Sequence, residues 1–212
     1  MIGTALTYRP MKDQQKERKE MKTNKLKIIL ASASPRRREL LAGLDLDFEV
    51  KVIKGVSERY PEDLPAVEVP QYISREKAAA YKVADDELLL TADTVVVVDN
   101  TILGKPHDAA DAHRMLRMIS GRTHQVVTGV TLTTVQKQKT FAVTTDVTFR
   151  ELTDEEIDYY IEHYRPFDKA GAYGIQEWIG YVGVTGLNGS YYNVMGLPVQ
   201  RIYQEIMALE HA

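Results

Sequence analysis

Lys27-Ile28-Ile29-Leu30-Ala31-Ser32-Ala33-Ser34-Pro35-Arg36-Arg37-Arg38-Glu39-Leu40-Leu41-Ala42-Gly43-Leu44 decides how the chain is read. An apolar run comes first, then a short polar loop, then apolar residues at helical spacing. The pattern predicts a strand, a tight loop and a helix that opens with guanidinium groups. Free N–H groups and the dipole at a helix N-terminus favour anions. Arginines placed there, with hydroxyls just before them, suggest a site for phosphate oxygens in which Ser32, Arg36 and Arg37 take part. Cations at that end oppose the dipole, so an anionic partner would relieve the conflict.

Outward from this stretch the pattern stays mixed α/β. Phe48, Val50 and Val52 alternate with charged residues, as in a half-buried strand. Pro61, Pro65 and Pro70 mark a loop, and a helix is expected across 71–84 with Ile73, Ala80, Tyr81 and Ala84 as its apolar stripe. Leu88 to Val98 is the most apolar run and reads as a strand covered on both faces. Thr101-Ile102-Leu103 can pair back on it across Asp99-Asn100. Asp108 is placed to cap a helix carrying Ala112, Met115, Leu116 and Ile119, which Gly121 can end. Residues 123–135 and 140–150 read as an antiparallel hairpin. Thr153 and Glu156 form a capping box. Short strands are expected within 168–196, and Pro198 opens a last helix with Val199, Ile202, Tyr203, Ile206 and Leu209 on one face. Two lobes around a cleft would suit this order.

The 212 residues suffice for one substantial domain or two small lobes. There is no cysteine, which excludes disulfides, thiolate catalysis and zinc–cysteine sites and is compatible with a reducing compartment. Net charge is −3. The first 25 residues carry seven Lys/Arg against three Asp/Glu, so the remainder is mildly acidic. That balance argues against a general nucleic-acid surface and sets off the Arg36-Arg37-Arg38 cluster. No run approaches the ~18 apolar residues of a membrane span. Residues 1–24 are expected to be a frayed or disordered extension, with Met21 an alternative start.

Among residues able to do chemistry, Asp93 stands out because its carboxylate lies inside the most apolar run. It must sit at a strand end or carry a large burial penalty. It could hold a divalent metal or take a proton from water, or it could cap the strand. Lys105, in Gly104-Lys105-Pro106, could serve as a point charge for phosphate. Lys77 is a phosphate candidate on the apolar side of its helix, with Glu76 as a partner. Glu58 lies in a loop and could bind metal or face water. Asp168-Lys169-Ala170-Gly171-Ala172-Tyr173-Gly174-Ile175-Gln176 is a second dense cluster, whose small residues let a ligand approach the backbone. Gln176 offers an amide that can read a carbonyl and an N–H together, as on the edge of uracil or thymine; a glycine-rich turn is the plain alternative. Ser120-Gly121-Arg122-Thr123-His124 is a further candidate phosphate donor, although His124 suits a packed position.

Together these segments resemble the Maf family of nucleoside triphosphate pyrophosphatases over about residues 26–207. The motifs are Ser32-x-Ser34-Pro35-Arg36-Arg37, Arg75-Glu76-Lys77-Ala78, Ala92-Asp93-Thr94-Val95, Lys105-Pro106, Ser120-Gly121-x-x-His124 with Thr128, Asp168-Lys169-Ala170-Gly171-x-Tyr173 and Gly196-Leu197-Pro198. The resemblance implies a Maf-like domain over 25–212 with an elongated, two-lobed mixed sheet, flanking helices and a central cleft, similar to inosine triphosphate pyrophosphatases. It implies a cytoplasmic hydrolase that makes a monophosphate and pyrophosphate with Mg²⁺ or Mn²⁺ as cofactor. Asp93 matches the family's general base, and Asp93 with Glu58 would hold the metal. Ser32, Arg36, Arg37, Lys77 and Lys105 match phosphate-binding positions. Arg36, Thr94 and Gln176 occupy positions tied to a preference for dTTP and UTP, modified pyrimidine triphosphates included. A homodimer and a link to division arrest are further family features. No stable nucleic-acid partner and no membrane attachment are expected. The other readings are a purine-directed enzyme for ITP or 7-methyl-GTP, and a nucleotide-binding division regulator with little catalysis. Arg38, Gly104 and Trp178 depart from the family pattern.

Overall fold

The protein is described by a computed structural model covering residues 26–210. One mixed sheet organises it. Its strands are β1 (Lys27–Leu30), β2 (Phe48–Val50), β3 (Glu87–Val98), β4 (Thr101–Leu103), β5 (Thr123–Thr133), β6 (Gln138–Phe149) and β7 (Val184–Asn188). The helices are α1 (Pro35–Ala42), α2 (Val69–Ala79), α3 (Ala109–Ile119), α4 (Asp154–Tyr164), α5 (Trp178–Gly183), α6 (Tyr191–Val194) and α7 (Val199–Glu210), with a 3₁₀ turn at Ala170–Ala172. The strand order is β2-β1-β3-β5-β6-β7, and β4 pairs with β3 outside that path.

The long strand β3 creates the cleft. Along one edge it pairs antiparallel with β5 from Leu89 to Val97. Along the other it pairs first with β1 in parallel, over Glu87–Leu90, and then with β4 in antiparallel, over Val96–Val98. Among the described residues no strand lies beside 91–95 on that edge. The sheet therefore forks there, at the C-terminal end of β1, where connections depart to opposite faces. Open α/β sheets offer their ligand crevice at such a point. Asp99 and Asn100 both take positive φ (47° and 60°), the geometry that lets a two-residue turn fold β4 back.

The two-residue period of β3 sorts its side chains onto two faces. Leu88, Leu90, Ala92, Val96 and Val98 point to one. On that face lie two separate cores. The first joins α1 and α7 through Leu41, Ile202 and Ile206 to Leu90, Val130 and Leu132. The second joins α3 and α4 through Leu116, Ile119, Ile157 and Tyr160 to Val96, Val126 and Phe149. Between them stands Thr94, and among the described residues the only partly buried side chain packed against both cores is Met195. The two lobes are thus two cores on one continuous sheet.

The opposite face carries α2, whose Val69 and Ile73 pack on Val95, Val97 and Val127. Its first turn lies directly on β5 at Gly129, where any Cβ would fall 2.3 Å from the carbonyl carbon of Pro70. One turn further on, the Ser74 hydroxyl meets that of Thr131 at 2.8 Å, and Thr91 donates to the Ser74 carbonyl at 2.7 Å. These contacts hold α2 at one height along the sheet. The helix ends at Ala79, short of the expected 71–84, because the buried positions are Val69, Pro70, Ile73, Ser74 and Ala78, while Ala80 and Ala84 face solvent.

Other elements follow local chemistry. Ser34 caps α1 and Pro35 opens it. Thr153 and Glu156 form the expected capping box on α4. The turn of the β5–β6 hairpin falls two residues earlier than the periodicity predicts, at residues 134–137, so β5 ends at Thr133 and β6 begins at Gln138. Segment 168–196 departs most from expectation. It holds a 3₁₀ turn, two short helices and a single strand, because its close-packed glycines bend the chain rather than extend it. The expected extension at 1–24 lies outside the described residues.

Candidate active site

The fork opens into two adjoining cavities of about 440 and 410 Å³ that share Ser34, Arg36, Arg37, Glu58, Lys77, Lys105 and Asp168. The first reaches inward to Asp93, Thr94, Tyr173 and Gln176. The second runs along the β1–α1 loop and contains Ser32. Ser32, Arg36, Arg37, Glu58, Lys77, Asp93, Thr94, Lys105 and Gln176 each line one cavity or the other, whereas Glu76 and His124 line neither.

The alternation of β3 splits Asp93 from Thr94. Asp93 points to the α2 face and Thr94 to the opposite one, and the missing edge partner leaves both open to the cleft. Lys77 reaches Asp93 Oδ1 from α2 at 2.8 Å and Glu58 Oε1 at 2.7 Å. One ammonium thus joins two carboxylates from distant segments. Burial raises the Glu58 pKa, but the hydrogen bond and charge of Lys77, with Lys105 and Arg37, outweigh it, so its carboxyl lies below the ordinary value. Glu76 was expected to partner Lys77. It faces solvent instead, one position round the helix, and Glu58 takes that role.

On the other face Arg37 acts as a brace. Its Nε donates to Gly196 O at 2.9 Å, Nη1 to Ala92 O at 2.7 Å and Nη2 to Thr94 Oγ1 at 3.1 Å. Burial lowers its pKa, opposed by the Asp93 carboxylate. Each nitrogen of its fork thus donates to the protein, which uses three of its five N–H groups. The unpaired Ala92 carbonyl at the sheet fork is satisfied by this contact rather than by a strand. Gly196 has φ of 111°, a conformation that only glycine adopts readily, and this turns its carbonyl toward Arg37. Thr94 Oγ1 also contacts Thr128 Oγ1 at 2.9 Å.

Arg36 lies across the cleft mouth, with Nη1 2.6 Å from Asp168 Oδ2. The other oxygen of Asp168 is 2.7 Å from Lys169 Nζ. Burial raises the Asp168 pKa, but its two cationic partners bring it down to about 2. Lys105 is exposed at the rim, and its charge reaches Glu58. Ser32 Oγ accepts from Ser34 N at 3.2 Å, which shapes the loop ahead of α1. Arg38 is exposed and lines neither cavity.

His124 is buried, and its Nε2 lies 2.7 Å from Tyr173 OH. Burial lowers its pKa to about 4. It lines neither cavity and supports the wall from behind, which removes it from the phosphate donors. Sequence reasoning missed the bracing role of Arg37, the Arg36–Asp168 contact and the part of Lys169. Only Lys169 left a signal: a lysine followed by Ala-Gly-Ala is set to be buried, and Asp168 beside it supplies the counter-charge.

No group of three His, Asp or Glu side chains is gathered among the described residues. Asp93 and Glu58, both within 3 Å of Lys77 Nζ, form a pair of carboxylates. That suits Mg²⁺, which takes one or two carboxylates, water and substrate phosphate oxygens rather than an all-protein cage. The residues therefore fit such an ion.

Residues 27–209 match the family described as Maf-like protein. A dTTP/UTP pyrophosphatase of Phocaeicola vulgatus is 60% identical over 187 residues, covering 87% of this chain and 97% of that protein. A dTTP/UTP pyrophosphatase of Parabacteroides distasonis is 56% identical over 184 residues, covering 86% and 95%. A solved HAM1 protein of Coxiella burnetii, 16% identical, aligns with a TM-score of 0.46 over 88% of this chain and 100% of that one. With the match spanning nearly all the described residues, this chain belongs to the Maf family.

Proposed function

We propose that residues 25–212 form an enzyme that hydrolyses UTP and dTTP to the monophosphate and pyrophosphate. The observation that carries this is the placement of Asp93, a carboxylate at the open edge of β3 facing a cleft ringed by Arg36, Lys77 and Lys105. The relatives at 60% and 56% identity bear the name of that activity.

In this reading the triphosphate lies along the second cavity, over the β1–α1 loop, and the base enters the first. Water attacks the α-phosphorus. Asp93 takes a proton from that water, a P–O bond forms, and the bond from the α-phosphorus to the α,β-bridging oxygen breaks, releasing pyrophosphate. Lys105 and Lys77 offset the charge that grows on the leaving group, and Arg36 can turn from Asp168 to an α-phosphate oxygen. Arg37 orients rather than binds: it holds the Gly196 carbonyl and the Thr94 hydroxyl in the wall beside the base. A divalent cation held by Asp93 and Glu58 would neutralise phosphate charge and polarise the α-phosphoryl group. The base pocket, with Thr94 and Gln176, suits a 4-oxo pyrimidine. Among the described residues no helix is long and apolar enough to cross a membrane, and the absence of cysteine suits action on a cytoplasmic nucleotide pool.

The test is hydrolysis of a panel of triphosphates with Mg²⁺ or Mn²⁺, scored for monophosphate plus pyrophosphate. UTP and dTTP should lead CTP, ITP and 7-methyl-GTP. Asp93→Asn should lose at least about a thousandfold in kcat while still binding UTP, within the range that general-base and preorganised charge effects supply. Near-normal turnover in that variant would sink the assignment.

A further inference from the structure

Gln176 alone cannot separate uracil from cytosine. Its amide carries one acceptor and one donor group at similar positions, and rotation by 180° exchanges them. Uracil and thymine present a 4-oxo acceptor where cytosine presents a 4-amino donor. The amide can satisfy either edge by turning over. Within the described residues its side chain makes no hydrogen bond that would fix one orientation. Thr94 does not resolve the matter, because a hydroxyl both donates and accepts. A site that tells the two bases apart needs a group of fixed polarity, such as one that only donates, facing the 4-substituent.

Such a group stands next to Gln176. Lys169 is 8% exposed and lines the inner cavity. Its ammonium is held by Asp168 Oδ1 at 2.7 Å and Glu177 Oε1 at 3.1 Å. Three N–H bonds radiate from an ammonium, so these partners leave one donor unused. Lys169 and Gln176 meet over Gly174, where a Cβ would lie 3.1 Å from Lys169 Cε and 3.2 Å from Gln176 Oε1. A side chain at 174 would occupy the space the two side chains share. The support behind Lys169 is rigid. Glu177 accepts a hydrogen bond from the Tyr160 hydroxyl, and that hydroxyl accepts from Gly174 N at 3.0 Å. Lys169, Gly174 and Glu177 are thereby tied into one unit with the loop that carries Gln176.

We infer that Lys169 is the specificity-determining residue for the base, its spare N–H donating to the 4-oxygen of uracil or thymine and its charge opposing a 4-amino group. With that donor in place, the Gln176 amide has one favourable orientation, its oxygen accepting from N3–H. Asp168 and Glu177 are positioning residues that aim the ammonium. Asp168 also links it to Arg36, so the base donor and the cleft-mouth cation share one carboxylate.

This inference rests on the reading of the site as a pyrimidine triphosphate pocket, and the experiment separates the two. Initial rates of wild type and Lys169→Met are measured with UTP, CTP and the pyrimidin-2-one ribonucleoside triphosphate, which lacks the 4-oxygen. If wild type releases no UMP and pyrophosphate, the functional reading fails. If it does, wild type should favour UTP over both other substrates, and Lys169→Met should reduce each kcat/KM ratio by about ten- to a hundredfold, mainly by lowering the UTP value. Equal losses on all three substrates, or unchanged ratios, would overturn the inference. Removing one charge beside two carboxylates risks misfolding, so Lys169→Gln with Glu177→Gln, which leaves net charge unchanged, is assayed in parallel. In wild type, ¹⁵N-lysine labelling supplies a readout independent of any variant: the Lys169 ammonium resonance should shift with UMP and not with CMP. An equal response to the two, or none, would contradict the assignment.

Discussion

Arg37→Lys distinguishes a brace from a phosphate ligand. The guanidinium makes three hydrogen bonds, to the carbonyls of Gly196 and Ala92 and to the Thr94 hydroxyl, at 2.9, 2.7 and 3.1 Å. These acceptors come from the α6–α7 connection and from two alternate residues of β3, on either side of Asp93. A lysine ammonium is a single point on a flexible stem and can reproduce one of the three contacts. Two hydrogen bonds from a charged donor are lost, at about 1.5–3 kcal/mol each. Water entering from the cleft replaces part of that, leaving a net cost of about 3 kcal/mol. For a chain of this size that corresponds to a fall in Tm of about 6–12 °C. Arg36→Lys is the control. Its ion pair with Asp168 is partly exposed, so its loss should shift stability by no more than about 1 kcal/mol. The assay is thermal unfolding of wild type and both variants without nucleotide, with UTP binding measured alongside. An Arg37→Lys protein that melts within about a degree of wild type but has lost most of its UTP affinity would refute the bracing role and return Arg37 to the phosphate.

Gly129→Ala should uncouple α2 from the sheet. The added carbon would sit 2.3 Å from the Pro70 carbonyl carbon, and backbone cannot yield cheaply. A cost of about 2–3 kcal/mol is expected from overpacking, together with a loss of turnover larger than the loss of stability explains, because α2 carries Lys77 to Asp93; an active, fully stable variant would contradict this. His124 sets an acid limb. Its folded pKa is near 4 against an ordinary 6.5. Between those values the unfolded chain binds the extra proton. The stability present above about pH 6.5 therefore declines as pH falls toward 4, by about 3 kcal/mol. Urea unfolding at pH 7, 5.5 and 4.5 should show this decline in wild type and lose it in His124→Gln; parallel pH profiles would count against a neutral buried ring.

What was legible in the sequence was local. The short polar loop followed by apolar residues at helical spacing announces α1, Thr153 and Glu156 the start of α4, and the continuous run Leu88–Val98 a strand covered on both faces. Asp93 stood out because a carboxylate is costly inside such a run. What was not legible depends on contacts distant in sequence. The fork that exposes 91–95 needs β1 to end where β4 has not yet begun, and no period within one strand encodes that. Arg36 and Arg37 are adjacent and chemically alike, yet helical rotation sends one to Asp168 and the other to Gly196 and Ala92. Residues 168–196 misled because their glycines read as turns between strands. Here they serve close packing, with Gly171 against Val96 and Gly183 against Phe149.

The central claim is that water activated at Asp93 attacks the α-phosphorus. Hydrolysis of UTP in H₂¹⁸O tests it most directly, with products resolved by mass spectrometry. The label is expected in UMP, with pyrophosphate unlabelled. Label in pyrophosphate, or release of orthophosphate with UDP, would place the attack on another phosphorus and contradict the account.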